Sequence, residues 1–312
     1  LEIEIPNVDY EFKLPIVSSP MDTVTESSMA VEMFRAGGLG VIHRYNSIEE
    51  QASLIRSADR ACSTPVGAAV GVTGDFEERA CVAADAGAKV ICIDIAHGHH
   101  ILMKRALHRL RLVFGSEIHL MAGNVATLLG FNDLSDWGAD SVRVGVGGGS
   151  ICSTRVMTGH GVPTLQSVID CSSSDRDALL IADGGIKQPG DVVKAIAAGA
   201  DLVMLGSMLA GTDEAPGEVF YVDGVGCKSY RGMASAAAQI DWRGHVASEE
   251  GVSHRVIMKG PVSNTLDSIE KALRSGMSYS GVQTLTEFRA RADIVKITQS
   301  SIVESRPHIL YP

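Results

Sequence analysis

One cysteine ends a glycine-rich run, Gly145-Val146-Gly147-Gly148-Gly149-Ser150-Ile151-Cys152-Ser153-Thr154-Arg155. Four glycines within residues 145–149 let the backbone take φ > 0 and leave amide N–H groups uncovered. Successive uncovered amides form a nest for an anion, and Ser150 adds a hydroxyl. A thiol there, with hydroxyls at Ser153 and Thr154 and a cation at Arg155, has the makings of a nucleophile beside a phosphate site. The same letters describe a loop that only turns a corner around an inert thiol, and on the pattern alone the two readings stand level.

Other polar residues that could do chemistry lie far apart in the chain. They are Ser18, Ser19 and Asp22, then His43 and Arg44, then Asp94 and His97, then Asn124, then Asp183-Gly184-Gly185, and Gly206-Ser207. Each group follows a short apolar, β-branched run. These runs predict strands at 15–18, 39–43, 66–71, 89–94, 117–122, 140–145, 178–183 and 201–206. Helix-like stretches lie near 25–36, 47–58, 75–87, 99–114, 125–137, 163–172, 189–199 and 207–212. Strand–helix alternation implies βαβ units on a parallel sheet, and eight repeats point to a closed (β/α)₈ TIM barrel. An open doubly wound sheet is the alternative, but no GxGxxG follows the first strand. In a barrel every strand end listed above opens on one face, so the scattered residues become one site.

The 224–260 stretch breaks the repeat and reads as a lid or binding loop after the eighth strand, or else as disorder. The helix-like 262–275 and the 284–299 stretch are expected to close the barrel. No linker divides the chain, so residues 1–312 are expected to form a single barrel domain. The chain opens at Leu1 rather than methionine, so a preceding segment is expected.

With 45% hydrophobic and 21% charged residues, the composition is that of a soluble globular protein. A net charge of −10 argues against a nucleic-acid or anionic-membrane surface. Any bound phosphate must therefore be held locally, by amides and a few side chains. No apolar run is long enough to span a bilayer, and no signal peptide is recognisable. The six cysteines show no CxxC spacing and read as reduced thiols, which suits a cytoplasmic protein.

Five blocks, in order, resemble the IMP dehydrogenase/GMP reductase family. They are Ser18-Ser19-Pro20-Met21-Asp22-Thr23-Val24-Thr25-Glu26, Asp94-Ile95-Ala96-His97-Gly98-His99, the Gly/Cys loop, Ala182-Asp183-Gly184-Gly185-Ile186, and Gly206-Ser207-Met208 through Tyr230-Arg231-Gly232-Met233. The resemblance implies a (β/α)₈ barrel, a homotetramer, and a purine nucleoside monophosphate as substrate. It implies that the Cys152 thiolate adds to C2 of the purine. A dehydrogenase then passes hydride from IMP to NAD and hydrolyses the adduct to XMP. A reductase expels ammonia from GMP and accepts hydride from NADPH, giving IMP.

The dehydrogenase uses an Arg-Tyr pair on its flap for hydrolysis, and that pair is missing here. The only flap arginine after Met233 and before Glu250 is Arg243, and Gly244 follows it. The run Ala247-Ser248-Glu249-Glu250-Gly251 and Lys259-Gly260-Pro261-Val262 resemble the reductase, as does a chain that passes from helix two near 58 to strand three at 66 with no regulatory module. Ser18 to Glu26, Ala96-His97-Gly98-His99 and Ser207-Met208-Leu209-Ala210-Gly211-Thr212 are closer to dehydrogenases. The balance favours the reductase, with the dehydrogenase as the alternative. A catalytically inactive barrel that senses purine nucleotides is a third reading, and Cys152, Thr154 and Glu250 together weigh against it.

Residue by residue, the resemblance makes Cys152 the nucleophile, and Thr154 and Glu250 the groups that move protons to the leaving ammonia. Ser150, Gly185, Gly206, Ser207 and Tyr230 would hold the phosphate, and Asp183 the ribose hydroxyls. Ser19, Met21 and Asn124 would line the substrate pocket, with Met233 and Ala234 meeting the purine through their backbone. Asp94 and Ala96 would face the nicotinamide ribose of NADPH. Carbonyls of Gly147, Gly149 and Cys152 are candidates for a monovalent cation such as K⁺. Plainer readings stand beside these, since a strand-end Asp or Ser often caps the next helix and a loop glutamate is usually solvated surface. His97 lies near two further histidines, but without Cys or carboxylate at ligand spacing no zinc site is expected. Gly148 and Ser153 depart from the family's usual proline and threonine. Arg44 stands where reductases commonly carry lysine, and a guanidinium keeps its proton and acts as a fixed charge.

Overall fold

A computed structural model describes residues 1–62 and 65–307. The strands are β1 (Ile3–Glu4), β2 (Glu11–Phe12), β3 (Ile16–Ser18), β4 (Leu39–Ile42), β5 (Val66–Val70), β6 (Ala88–Asp94), β7 (His119–Val125), β8 (Ser141–Val144), β9 (Leu179–Asp183), β10 (Leu202–Leu205), β11 (Phe220–Val222), β12 (Val225–Arg231) and β13 (Ser253–Ile257). The helices are α1 (Ser27–Arg35), α2 (Ile48–Cys62), α3 (Phe76–Asp85), α4 (Ile101–Phe114), α5 (Leu128–Asp136), α6 (Thr154–Thr158), α7 (Thr164–Cys171), α8 (Pro189–Ala197), α9 (Ala236–Arg243), α10 (Val262–Tyr279), α11 (Leu285–Arg291) and α12 (Gln299–Glu304).

Strands β3 to β10 close a parallel barrel, with β10 pairing back onto β3 at Val203↔Ile16. Side chains alternate across each strand, so one set fills the lumen and the other meets the helices. Val17, Leu39, Val41, Cys92, Met121, Ile181 and Met204 form the lumen cluster, together with Ile5 and Phe12 from the N-terminal segment. That segment covers the amino ends of the strands. The antiparallel pair β1/β2 carries Phe12 into the core, and the Pro6 carbonyl lies 2.8 Å from Nδ1 of His119, the first residue of β7. The opposite, carboxyl end is left for chemistry.

Helix α10 takes the eighth place in the outer ring, packing on α8 and α1. Its buried residues Val262, Leu266, Ile269, Leu273 and Met277 recur every three or four positions and make one apolar stripe. The helix expected at 207–212 does not form; the segment is a series of turns. Lys259 Nζ takes the Ser207 and Met208 carbonyls at 2.7 and 3.3 Å, acceptors that a helix over 207–212 would use internally. The buried Lys228 ammonium holds the Thr212, Asp213 and Ala215 carbonyls at its end and beyond. The 284–299 stretch is likewise broken, into α11 with its Thr284–Glu287 capping box, an irregular 292–298, and α12. The 224–260 excursion is built rather than disordered. Strands β11, β12 and β13 form an antiparallel sheet that carries α9 over the barrel mouth.

Candidate active site

A cavity of about 530 Å³ opens at the carboxyl ends of the strands. Its wall includes Ser19 and Met21 after β3, Asp94 and Ala96 at the end of β6, and Asn124 in β7. Gly147, Gly149, Ser150, Cys152 and Thr154 follow β8, Asp183 and Gly185 close β9, and Gly206 and Ser207 follow β10. Tyr230, Met233, Ala234 and Glu250 reach it from the flap. Every residue to which the family resemblance gives a catalytic, substrate, cofactor or cation role thus lines the same space. Four strand-end residues do not line it. Ser18 is buried against Thr25, while Asp22 and His43 line a neighbouring cavity of about 860 Å³. His97 points elsewhere, packing against His99.

Backbone geometry explains the glycines of the cysteine loop. A Cβ on Gly145 would run into the Asp183 carbonyl, so the loop lies directly on β9. Gly147 has φ +80°, and a Cβ there would meet Arg155 Cγ at 2.7 Å. Arg155 itself donates to the Val162 carbonyl at 2.6 Å and fixes the loop against the segment that follows α6. The Cys152 side chain is exposed and lies 3.1 Å from Thr154 Oγ1. The other thiols differ. Burial pushes Cys92 and Cys171 up to about 12, and burial also raises Cys62 and Cys81. They are structural cysteines.

The flap is laced onto this loop. The Ser153 amide donates to the Glu250 carbonyl at 2.9 Å, the Val252 amide to Ile151 at 2.9 Å, and the Glu250 amide to Ala234 at 3.1 Å. Glu250 and Met233-Ala234 are therefore carried to the thiol by main-chain bonds. Glu249 is exposed and does not line the cavity. The loops after β8 and β10 also meet the flap at Tyr230. Burial raises Tyr230, keeping the phenol a neutral donor; it is hydrogen-bonded to Ser150 and lies against Gly206. Behind it, Lys259 Nζ donates to the Ser207 carbonyl at 2.7 Å.

One central residue escaped the sequence reading. Arg143 in β8 is 5% exposed and joins two carboxylates. Its guanidinium donates to Asp94 Oδ1 at 2.5 Å and to Asp183 Oδ2 at 2.8 Å, and Asn124 Nδ2 donates to the same Asp183 oxygen at 2.8 Å. Flanking carboxylates hold Arg143 well above the usual guanidinium range despite its burial. A charged residue between Val142 and Val144 was the available signal, because a strand buried on both faces accepts a charge only when it is paired. The bonds to Arg143 and Asn124 use one oxygen of each carboxylate, leaving the second Asp94 and Asp183 oxygens for ligand hydroxyls.

For an anionic dinucleotide the wall also offers Arg44, whose Nε is buried without an acceptor, beside the aromatic rings of Tyr45 and Trp242. Carbonyl oxygens are suitable donors for K⁺, and of those at Gly147, Gly149 and Cys152 the Gly149 carbonyl also accepts from the Cys152 amide at 3.1 Å. Among the described residues, no group of three or more His, Cys, Asp or Glu side chains is placed to hold a metal ion. No helix among them is long and apolar enough to cross a membrane.

A (β/α)₈ barrel with an exposed thiol on a glycine-rich loop and a flap over the cavity at its carboxyl end has the layout of a barrel enzyme. The family model described as IMP dehydrogenase / GMP reductase domain matches residues 6–308, and the chain belongs to that family of purine-nucleotide oxidoreductases. It is 34% identical to an inosine-5'-monophosphate dehydrogenase of Nitrosopumilus maritimus, covering 95% of this chain and 90% of that protein. It is 42% identical to a GMP reductase of Leishmania major, covering 86% of this chain and 58% of that protein. The crystal structure of the GMP reductase C318A from Trypanosoma brucei, in complex with guanosine 5'-monophosphate, superposes with a TM-score of 0.92. That match has 30% identity and covers 99% of this chain and 93% of the other.

Proposed function

We propose that this protein is a GMP reductase, converting GMP to IMP and ammonia with NADPH as reductant. The observation that carries the reading is the flap. Arg243 ends α9 and Gly244 follows it at φ +74°, so the flap lacks the adjacent Arg-Tyr pair with which the dehydrogenase activates water for hydrolysis.

The 5'-phosphate of GMP sits among Ser150, Gly185, Gly206, Ser207 and Tyr230, held by backbone amides and neutral hydroxyls. Asp183 accepts from the ribose hydroxyls, and Met233 and Ala234 meet the purine edge. Ser19, Met21 and Asn124 complete the pocket. The Cys152 thiolate then forms a bond to C2, and the C2–N bond to the exocyclic amine breaks. The departing amine takes its proton through Thr154 and Glu250 and leaves as ammonia. The purine stays on Cys152 as a thioimidate. Asp94 and Ala96 would hold the nicotinamide ribose, and NADPH when bound would supply the hydride that C2 accepts. The C2–S bond breaks, returning the thiolate and releasing IMP. In sum GMP, NADPH and one proton become IMP, NADP⁺ and ammonia.

K⁺ on the Gly147, Gly149 and Cys152 carbonyls would stiffen the loop that aims the thiol. A homotetramer would cover Val156 and Met157, apolar residues of α6 that are 86% and 60% exposed just beyond the nucleophile. A second reading, an IMP dehydrogenase, draws on the Nitrosopumilus maritimus relative, which matches over most of its length. Product analysis separates the two. Ammonia and IMP in equal amounts from GMP and NADPH support the reductase, and XMP accumulating from IMP and NAD refutes it.

A further inference from the structure

The cavity must accommodate the phosphates of a dinucleotide in a chain of net charge −10, yet among the described residues three cationic side chains line it. These are Arg44, Arg143 and Arg243. Arg143 is spent on Asp94 and Asp183. The other two converge on one ring. The Arg243 guanidinium lies over the Trp242 indole at 4.2 Å from its centroid, and the Arg44 guanidinium lies over the same ring at 5.1 Å. Tyr45 packs edge-on against Trp242 with centroids 5.2 Å apart, and lies 5.2 Å below Arg44.

Stacking fixes a guanidinium through its face and leaves its in-plane N–H donors for other partners. Arg243 has no hydrogen-bond acceptor or ion-pair partner among the described residues, and only one nitrogen of Arg44 is engaged, donating to the Asp94 carbonyl at 3.2 Å. The Arg44 Nε is buried and unpartnered. A buried donor without an acceptor is costly unless a ligand meets it. The contact to Asp94 also ties this stack to the residue that faces the nicotinamide ribose.

We propose that Arg44 and Arg243, aligned by the Trp242 ring, form the subsite for a phosphate group of the dinucleotide cofactor. The inference rests on the oxidoreductase reading above and adds to it the residues that recognise the cofactor's charge. Either the pyrophosphate or the 2'-phosphate of NADPH has the required chemistry. The flap helix then serves cofactor binding as well as covering the substrate.

Calorimetric titration with NADPH, NADH and GMP tests this, without requiring turnover. Arg243→Gln, on the exposed end of α9, should weaken NADPH binding on the order of tenfold or more, the effect of losing a charge-assisted bond. GMP affinity and the thermal midpoint should stay near the parent's. Arg243→Lys should recover part of the loss, because charge is kept and the fork is not. Equal weakening of NADPH and NADH assigns the pyrophosphate, and weakening of NADPH alone assigns the 2'-phosphate. Unchanged binding of both dinucleotides to Arg243→Gln and to a folded Arg44→Gln would overturn the subsite. If the parent binds GMP but neither dinucleotide, the oxidoreductase reading itself fails, a distinct result.

Discussion

Replacing Arg143 with methionine removes the cation between Asp94 and Asp183 while keeping a side chain of comparable length. Both carboxylates are largely buried, with 17% and 14% of their side chains exposed, and Arg143 is their shared ion-pair partner. Breaking a buried pair by removing one partner costs roughly 3–5 kcal/mol, because the remaining charge is left uncompensated. Here two carboxylates lose one cation, so the upper part of that range applies. In a protein of this size such a loss lowers the thermal midpoint by roughly 6–8 °C. A thermal scan at neutral pH measures it. Adding Asp183→Asn to Arg143→Met removes one stranded charge, so the double variant should be more stable than Arg143→Met alone. Activity should fall with stability, since both cavity-lining carboxylates lose their orientation, and Arg143→Lys should fall between. If Arg143→Met melts within about 1 °C of the parent, or if Asp183→Asn destabilises it further, the two-carboxylate tie is wrong.

Iodoacetamide at neutral pH should label Cys152 before the buried thiols, with GMP protecting it, whereas no labelling and no protection would favour a nucleotide-sensing barrel. Cys152→Ala should abolish turnover yet leave nucleotide binding nearly intact, and appreciable residual turnover would exclude the covalent route. Glu250→Gln should lower kcat by roughly 10²–10⁴-fold with a far smaller change in KM for GMP, and Glu249→Gln should not; equal losses would make Glu250 structural. His119, whose ring meets Ser141 at 2.7 Å and the Pro6 carbonyl, is held below its usual range mainly by burial. A depressed base takes its proton more readily when unfolded, so its contribution is full above about pH 6.5 and lost as pH falls below it. His119→Gln should flatten that acid limb in pH-dependent melts, and an unchanged limb would locate the titration elsewhere.

The barrel was legible because apolar β-branched runs and amphipathic stretches alternate with little interruption from β3 to β10. Polar residues at the ends of those runs gave the site, since the topology alone brings every carboxyl end to one face. What escaped depends on partners far away in the chain. Arg143 shows its purpose only when the closed barrel brings it Asp94 from β6, two strands away, and Asp183 from the adjacent β9. The Arg44–Trp242 stack joins the loop after β4 to the flap helix, which no local pattern encodes. The misread helix at 207–212 has good local propensity. Tertiary context wins there, because Lys259 takes the Ser207 and Met208 carbonyls and Lys228 from β12 those of Thr212 and Ala215. The pair β1/β2 has two residues in each strand, too few for any periodicity.

The reductase assignment meets its most direct test in absorbance at the nicotinamide band, with each substrate pair supplied in turn to the same enzyme. GMP with NADPH should give a steady loss of absorbance, and IMP with NAD little or no gain. Steady NADH production from IMP, with NADPH untouched by GMP, would contradict the account.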